Sequence, residues 1–287
     1  MTIKKAVIPA AGFGTRMLPA TKAIPKEMLP IVDKPSIQYI VEEAVSAGIS
    51  EILIITSRTK TAMEDHFDYA PDVEAKLLRA GRAEDAAAVR AIADLADIRF
   101  LRQKEQNGLG DAVYCARSFV GTEPFAVLLG DDLMRSAVPV IGQLAQTAAQ
   151  YNCNVVGVKE VDRESVKKYC TLDVSPVANK LFDVHEIIEK PTEEQIISHF
   201  SILGRYILTN EIFNILETQP PGHGGELQLT DGLGVLCKRQ GMIAQDFDGM
   251  RYDCGNPAGY LTAFLDFAAG HPLTAETLRQ YIAKASL

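Results

Sequence analysis

The sequence predicts an α/β fold on a doubly wound, mixed but mainly parallel sheet, with a smaller antiparallel portion in its second half. Three observations carry this prediction. The first-half strand candidates are continuous apolar runs rather than alternating ones, helix-spaced segments separate them, and after Thr147 the rhythm loosens into strand, turn and strand. A continuous run means that both faces of a strand are covered, as in a parallel sheet clothed by helices on both sides.

Residues 4–9 (KKAVIP) form the first predicted strand and feed a glycine-bearing loop. After Pro35, Ser36 reads as an N-cap, and Ile37, Ile40, Val41, Ala44 and Val45 recur at helical spacing until Gly48 ends the helix. Residues 52–56 (ILIIT) are the next strand, completing the strand–helix–strand unit of a parallel crossover. The Ala-, Arg- and acid-rich stretch 72–97 reads as a helical hairpin broken at Gly81. Strands follow at 98–101 and 125–129, with a helix beginning near Asp111 between them. In the second half, 153–158, 170–174, 184–188, 204–208 and 242–247 read as strands, and 211–217, 230–238, 257–267 and 275–283 as helices. No internal repeat or low-complexity linker interrupts the chain, so 1–287 reads as a single domain.

Charge and composition narrow the function. A net charge of −8 with no basic stripe argues against a nonspecific grip on nucleic acid, which needs clustered cations. No uncharged run approaches the ~20 residues of a membrane span, and the apolar run near the N-terminus is too short for a signal segment. A cytoplasmic protein without membrane or nucleic-acid partners is therefore expected. The five cysteines, Cys115, Cys153, Cys170, Cys237 and Cys254, show no metal or disulfide spacing and read as reduced core residues. The five histidines are scattered and attract no role, and no nucleophile elbow suggests a covalent intermediate.

The densest chemical signal is PAAGFGTR at residues 9–16, followed by Lys22, Pro25, Lys26, Glu27 and Leu29-Pro30. Ala10, Ala11, Gly12 and Gly14 let a ligand approach the main chain, so that N–H groups can face phosphate oxygens. Arg16 and Lys26 add fixed positive charge. A structural turn is the bland alternative. The segment lacks the GxxxxGK[ST] of a P-loop, and Met17 stands where a dinucleotide fingerprint needs its third glycine. Further on, QKEQNGLGDA (103–112) is a polar turn after a strand, and LLGDD (128–132) is a strand ending in paired carboxylates, at the edge where such sheets bind ligands. Carboxylates suit Mg²⁺, which takes one or two from protein and completes its shell with phosphates, although paired Asp also serves as a turn. IEKP (188–191) and RYDCG (251–255) read on their own equally as a surface ion pair and a turn.

Taken together, these segments resemble the sugar-nucleotide pyrophosphorylase family, whose signature is GxGTR and, about ten residues on, a Lys before Leu-Pro. The resemblance spans essentially the whole chain and implies a Rossmann-like sheet of the nucleotide-diphospho-sugar transferase type. It implies that Ala10, Ala11, Gly12, Gly14 and Thr15 wrap the triphosphate, that Arg16 and Lys26 act on the reacting phosphates, and that Gln103 and Gly108 contact the base. It further implies that Asp131 and Asp253 bind Mg²⁺, Asp131 lying against the nucleotide. Glu189, Lys190 and the backbone of Gly204 bind the sugar phosphate, Lys190 also serving catalysis. Residues 1–147 become the mainly nucleotide-binding half, 148–270 the mainly sugar-phosphate half, and 271–287 a C-terminal helix. GGELQLTD (224–231) resembles the family's sugar-side loop, and its Gln228 points to the uridylyltransferase branch, with UTP and glucose 1-phosphate as substrates and a homodimer or homotetramer as the assembly. Two positions depart from the pattern: Asp111 replaces a common His, and Gly130 stands where uridylyltransferases commonly have Pro and thymidylyltransferases Gly. A thymidylyltransferase, a catalytically silent nucleotide-sugar sensor and, more remotely, a dinucleotide-dependent oxidoreductase are the alternatives. The sensor sits poorly with both Asp131 and Asp253 and both lysines being present.

Overall fold

The computed structural model describes residues 1–285; positions 286 and 287 of the expected C-terminal segment lie outside the described residues. The strands in chain order are β1 (Lys5–Pro9), β2 (Pro30–Ile31), β3 (Lys34–Pro35), β4 (Glu51–Thr56), β5 (Asp97–Arg102), β6 (Phe125–Leu128), β7 (Asp132–Arg135), β8 (Asn154–Glu160), β9 (Cys170–Ala178), β10 (Leu181–Glu189), β11 (Phe200–Leu208), β12 (Met242–Asp246) and β13 (Met250–Asp253). Nine of them form one sheet in the order β5-β4-β1-β6-β11-β8-β12-β10-β9. The four from β5 to β6 are parallel, β8 and β12 are parallel to each other, and β10 and β11 run against both their neighbours. The chain winds outward from β1 through β4 to β5 and then returns to β6 on the other side of β1. That reversal opens a crevice beyond the carboxyl ends of β1 and β6, where open α/β sheets bind ligands.

Side-chain alternation explains the apolar runs. Ala6 and Ile8 face one layer with Ile40 of helix Ser36–Ser46 and Leu144 of helix Val140–Tyr151. Val7 and Val127 face the other, with Ile212 of helix Glu211–Thr218 and Leu233 of helix Leu229–Gln240. Every residue of β6 is buried, so truncating one of its large side chains costs about 2–5 kcal/mol.

Most predicted elements form within a few residues of their expected bounds, including the hairpin Pro71–Arg79 and Ala83–Ala93 turned at Gly81, where φ is +73°. Ser36 differs from expectation: Pro35 occupies the cap position, and the Ser36 hydroxyl instead donates to the Glu27 carbonyl at 2.9 Å. The strand expected from 204 runs from Phe200, because a register shift between Ile202 and Tyr206 carries the chain through Gly204 at φ +69°. Two features were not expected. One is helix Val140–Tyr151, which spans the expected 147/148 division; the other is a ribbon in which β7 pairs antiparallel with β13, setting Asp132 opposite Asp253.

Candidate active site

The crevice is a trough made of two clefts that share Leu109, Leu129 and Asp131. One, of about 450 Å³, is lined by Ala11, Gly12, Thr15, Lys26, Gln103 and Gly108 among others. The second, of about 330 Å³, is lined by Arg16, Glu189, Lys190, Gly204 and Asp253 together with Lys168, Tyr169, Thr230 and Arg251. Asp131 stands at the joint.

On the Gly12 side the lining joins the glycine loop, through Gly12, Phe13 and Thr15, to the side chains of Lys26, Gln103, Gln106 and Glu226. Ala10 and Gly14 belong to the loop but are not in the cleft's lining. The Ala10 N–H donates to the Ile55 carbonyl at 2.8 Å, and Gly14, at φ +68°, accepts from the Thr21 hydroxyl at 2.8 Å and starts the tight turn Thr15–Met17. Beneath the loop lies an ion pair that the sequence did not advertise. Lys60 Nζ donates to both Glu27 oxygens at 2.7 and 2.9 Å and to the Ala10 carbonyl at 2.6 Å. Both side chains are buried, which pushes the Glu27 carboxyl up and the Lys60 ammonium down. Glu27 follows Lys26, so this pair ties the glycine loop to the segment that carries Lys26. Gly108 is forced by space as well: at φ +103°, a Cβ there would sit 2.7 Å from the Leu227 carbonyl.

On the Lys190 side the lining carries four cations, Arg16, Lys168, Lys190 and Arg251, among carboxylates and uncharged side chains. Lys26 Nζ donates to Asp131 at 2.5 Å, and Arg16 lies 3.9 Å from Asp131 and 3.8 Å from Asp253. Asp132 faces Arg251 at 2.6 Å, Arg251 donates to the Tyr169 hydroxyl at 2.9 Å, and that hydroxyl donates to Asp253 at 3.1 Å. The fully buried Arg205 donates to the Asp132 carbonyl at 2.8 Å and to Glu43 at 2.7 Å, fastening the turn into β7 to β11. Gly204 is required here, since a Cβ would lie 2.2 Å from Asp132 Oδ2. Lys190 adopts φ +43°, uncommon outside glycine; its N–H donates to the Tyr169 carbonyl at 2.8 Å and its Nζ lies 3.9 Å from Glu189.

The electrostatics separate the adjacent aspartates. Burial drives Asp131 up, but the Lys26 ammonium, its hydrogen bond and the Arg16 and Arg251 charges outweigh it and hold the carboxyl below its usual range. Asp132 goes the other way: burial, only partly opposed by Arg251, and the neighbouring Asp131 and Asp253 charges push it up to about 6. Lys26 is disfavoured by burial, yet Asp131 and Glu27 keep its pKa above the ordinary lysine value. Burial raises Glu189.

The arrangement suits a divalent cation held by two carboxylates. A Cβ on Gly255 would lie 2.6 Å from Asp131 Oδ2, 2.9 Å from Asp253 Oδ1 and 2.6 Å from Arg16 Nη2, so the absent side chain leaves room between the two acids. Among the described residues no three His, Cys, Asp or Glu side chains could hold a metal together. Two carboxylates with substrate phosphates completing the shell is the usual pattern for a small hard cation.

Tyr169, Arg251, Gln106, Lys60 and Glu27 were not singled out by sequence. Arg251 and Glu27 lay inside quoted motifs, and Lys60 follows the carboxyl end of β4, which is a positional hint. The 224–231 segment, expected on the sugar side, reaches both clefts through Glu226 and Thr230, while Gln228 turns to the His223 carbonyl at 3.0 Å and lines neither. A larger cleft, about 1050 Å³, lies at the far end of the ribbon. Arg135 there is taken by Asp266 and Asp248 by Lys180, so no cations converge in it.

A doubly wound sheet whose switch-point crevice joins a glycine loop, convergent cations and two facing carboxylates defines an α/β enzyme that works on phosphate esters. The comparisons with known proteins sharpen this. The chain belongs to the nucleotidyl transferase family, whose model matches residues 5–270. It is 50% identical to the UTP–glucose-1-phosphate uridylyltransferase of Bacillus subtilis (strain 168), over 93% of this chain and 91% of that protein. It is 47% identical to the protein of the same name from Staphylococcus epidermidis (strain ATCC 35984), over 98% and 97%. Among solved structures it is similar to UDP-glucose pyrophosphorylase complexed with UDP-glucose, with a TM-score of 0.85 and 41% identity over 94% of this chain and all of that one. The chain is thus a nucleotidyltransferase, and the family works with a divalent metal. Among the described residues no helix is long and apolar enough to cross a membrane.

Proposed function

We propose that this chain transfers a uridylyl group from UTP to α-D-glucose 1-phosphate, giving UDP-glucose and pyrophosphate. The observation that carries the reading is the trough with Asp131 at its joint, a cleft under the glycine loop on one side and a cleft holding Arg16, Lys168, Lys190 and Arg251 on the other. The printed names of relatives near half identity support UTP and glucose 1-phosphate as the substrates.

A phosphate oxygen of glucose 1-phosphate, already anionic, attacks the α-phosphorus of UTP in line; the new P–O bond forms as the α–β bridge breaks, and pyrophosphate carries the charge away. No general base is needed, so the protein's work is positioning and neutralisation. The Ala11–Thr15 loop holds the triphosphate, with Ala10 and Gly14 setting its shape, and Gln103 and Gly108 hold the base. Arg16 and Lys26 offset charge on the triphosphate and on the leaving group. Lys190 holds the sugar phosphate, Glu189 accepts from sugar hydroxyls, and Gly204 admits the ring. Mg²⁺ on Asp131 and Asp253 supplies further neutralisation of phosphate oxygens when bound.

Gly130 matches the thymidylyltransferase pattern, but it also has a local reason here. Its N–H donates to the Pro9 carbonyl at 3.2 Å and a Cβ would lie 2.8 Å from that oxygen, so the close approach of two loops accounts for the glycine. The reading includes one domain with a nucleotide half and a sugar half, a cytoplasmic location and a homodimer or homotetramer. Exposed Leu261, Leu265, Tyr281 and Ile282 on the C-terminal helices support self-association, and light scattering tests it. The function is tested by pyrophosphate release with Mg²⁺ and glucose 1-phosphate, comparing UTP, dTTP, ATP and GTP. Selectivity for UTP is expected; selectivity for dTTP moves the assignment, and silence with all four leaves a binding protein.

A further inference from the structure

Gln103 follows directly on β5, is 5% exposed, and lines the Gly12-side cleft. Its main-chain N–H donates to the Thr56 carbonyl at 2.9 Å, which fixes the backbone. Its side-chain Nε2 donates to Asp111 Oδ2 at 2.6 Å and to the Gly108 carbonyl at 3.1 Å. A carboxylate and a carbonyl are both acceptors only, so chemistry dictates which end of the amide faces them. The NH₂ end is committed to Asp111 and Gly108, and the Oε1 end points the other way. Both of these side-chain hydrogen bonds run through Nε2.

We infer that Asp111 is a positioning residue for base selection, holding the Gln103 amide so that its oxygen, and not its NH₂, is offered to the base in the cleft. This rests on the uridylyl-transfer reading. An acceptor at that place pairs with the imide N–H of uracil or thymine. It rejects cytosine, whose ring nitrogen at the same position is itself an acceptor, because two acceptors facing each other in a desolvated cleft leave both unpaired. A carboxylate, which only accepts, permits one orientation of the amide.

The test uses the full chain with Asp111→Asn, which presents either a donor or an acceptor, and Asp111→Leu, which presents neither. The readout is kcat/KM for UTP, dTTP and CTP at saturating glucose 1-phosphate, with thermal melting as the folding control. The expected result is a fall in the UTP-over-CTP preference of about tenfold or more, larger for Asp111→Leu, while the UTP-over-dTTP ratio stays at its wild-type value. General damage to the cleft lowers all three substrates together and moves neither ratio. Unchanged preference over CTP in a folded variant overturns the assignment of Asp111 alone. Wild-type protein that releases no pyrophosphate from UTP removes the uridylyl-transfer reading, and the inference falls with it. Asp111→Asn is nearly isosteric and keeps the test open if Asp111→Leu melts early, and a wild-type UTP-over-CTP ratio near one overturns the inference without either variant.

Discussion

On the Gly12 side of Asp131 the trough is shaped by the tight glycine turn and by a concealed ion pair, Lys60–Glu27, that lines neither of the two clefts. On the Lys190 side it is shaped by side chains in contact with one another, Asp132, Arg251, Tyr169 and Asp253, brought in by β7, β9 and β13. The first arrangement sets the path of the glycine loop through close backbone approach and one buried pair. The second depends on each charge having its partner, so single substitutions propagate through it. One half hangs on a single buried pair beneath a tight turn and the other on a chain of side chains in mutual contact, and the two should fail differently.

The largest effect is expected at the concealed pair. Lys60→Met leaves Glu27 buried without its partner and should cost about 3–5 kcal/mol of stability by urea denaturation. A Lys60→Met, Glu27→Leu double variant should regain most of that, since apolar replacement of both ions is often neutral. If the pair also positions Lys26, turnover stays depressed in the double variant; full recovery of both stability and turnover would reduce the pair to a packing element.

On the other side, Lys190→Ala should lower turnover by roughly 10²–10³-fold, by analogy with loss of one preorganised charge, with melting shifted little because the side chain is a third exposed. Undiminished turnover takes Lys190 out of the reaction. Arg251→Lys is a finer probe. A lysine cannot span Asp132 and the Tyr169 hydroxyl as the guanidinium fork does, so KM for glucose 1-phosphate should rise about tenfold while KM for UTP holds. Equal changes in both constants would show that the two clefts are not separable.

The smallest effect is expected from thiol reagents. Burial pushes Cys170 and Cys254 up to about 12 and Cys237 up to about 11, so in native protein at neutral pH only the half-buried Cys115 and Cys153 should react, slowly. The raised folded-state values also give a sign. These thiols contribute no pH dependence below their ordinary value of 9.0; above it the unfolded chain ionises first, and stability falls as pH climbs toward 12. Rapid labelling of Cys170 in folded protein would break this account.

The same contrast governs how far sequence could be read. The loop of the Gly12 side is contiguous in the chain from Pro9 to Pro30, so glycine spacing and the Lys26 position spoke for themselves, and β1, β4 and β6 followed from their apolar runs; Gln106 and Glu226 join that cleft from elsewhere in the chain. The Lys190 side is contiguous only in space. β11 inserts between β6 and β8, and β13 pairs with β7, and nothing in local periodicity tells which strands become neighbours. Asp253 and Lys190 were reached through family resemblance, whereas Tyr169 and the Arg251–Asp132 contact needed the fold. Lys60 was invisible for the opposite reason: a lysine in a polar loop reads as a solvated cation until its burial is seen.

The β7–β13 ribbon joins Asp132 to Asp253, which lie 121 positions apart in the chain. At roughly 5–20 residues per second of synthesis, a growing chain has its glycine loop and Asp131 in place many seconds before Asp253 exists. A chain halted before Met250 has no strand to lay against β7 and no second carboxylate. On the proposed two-carboxylate site, activity is expected only from a chain whose last strand has been made and seated against β7.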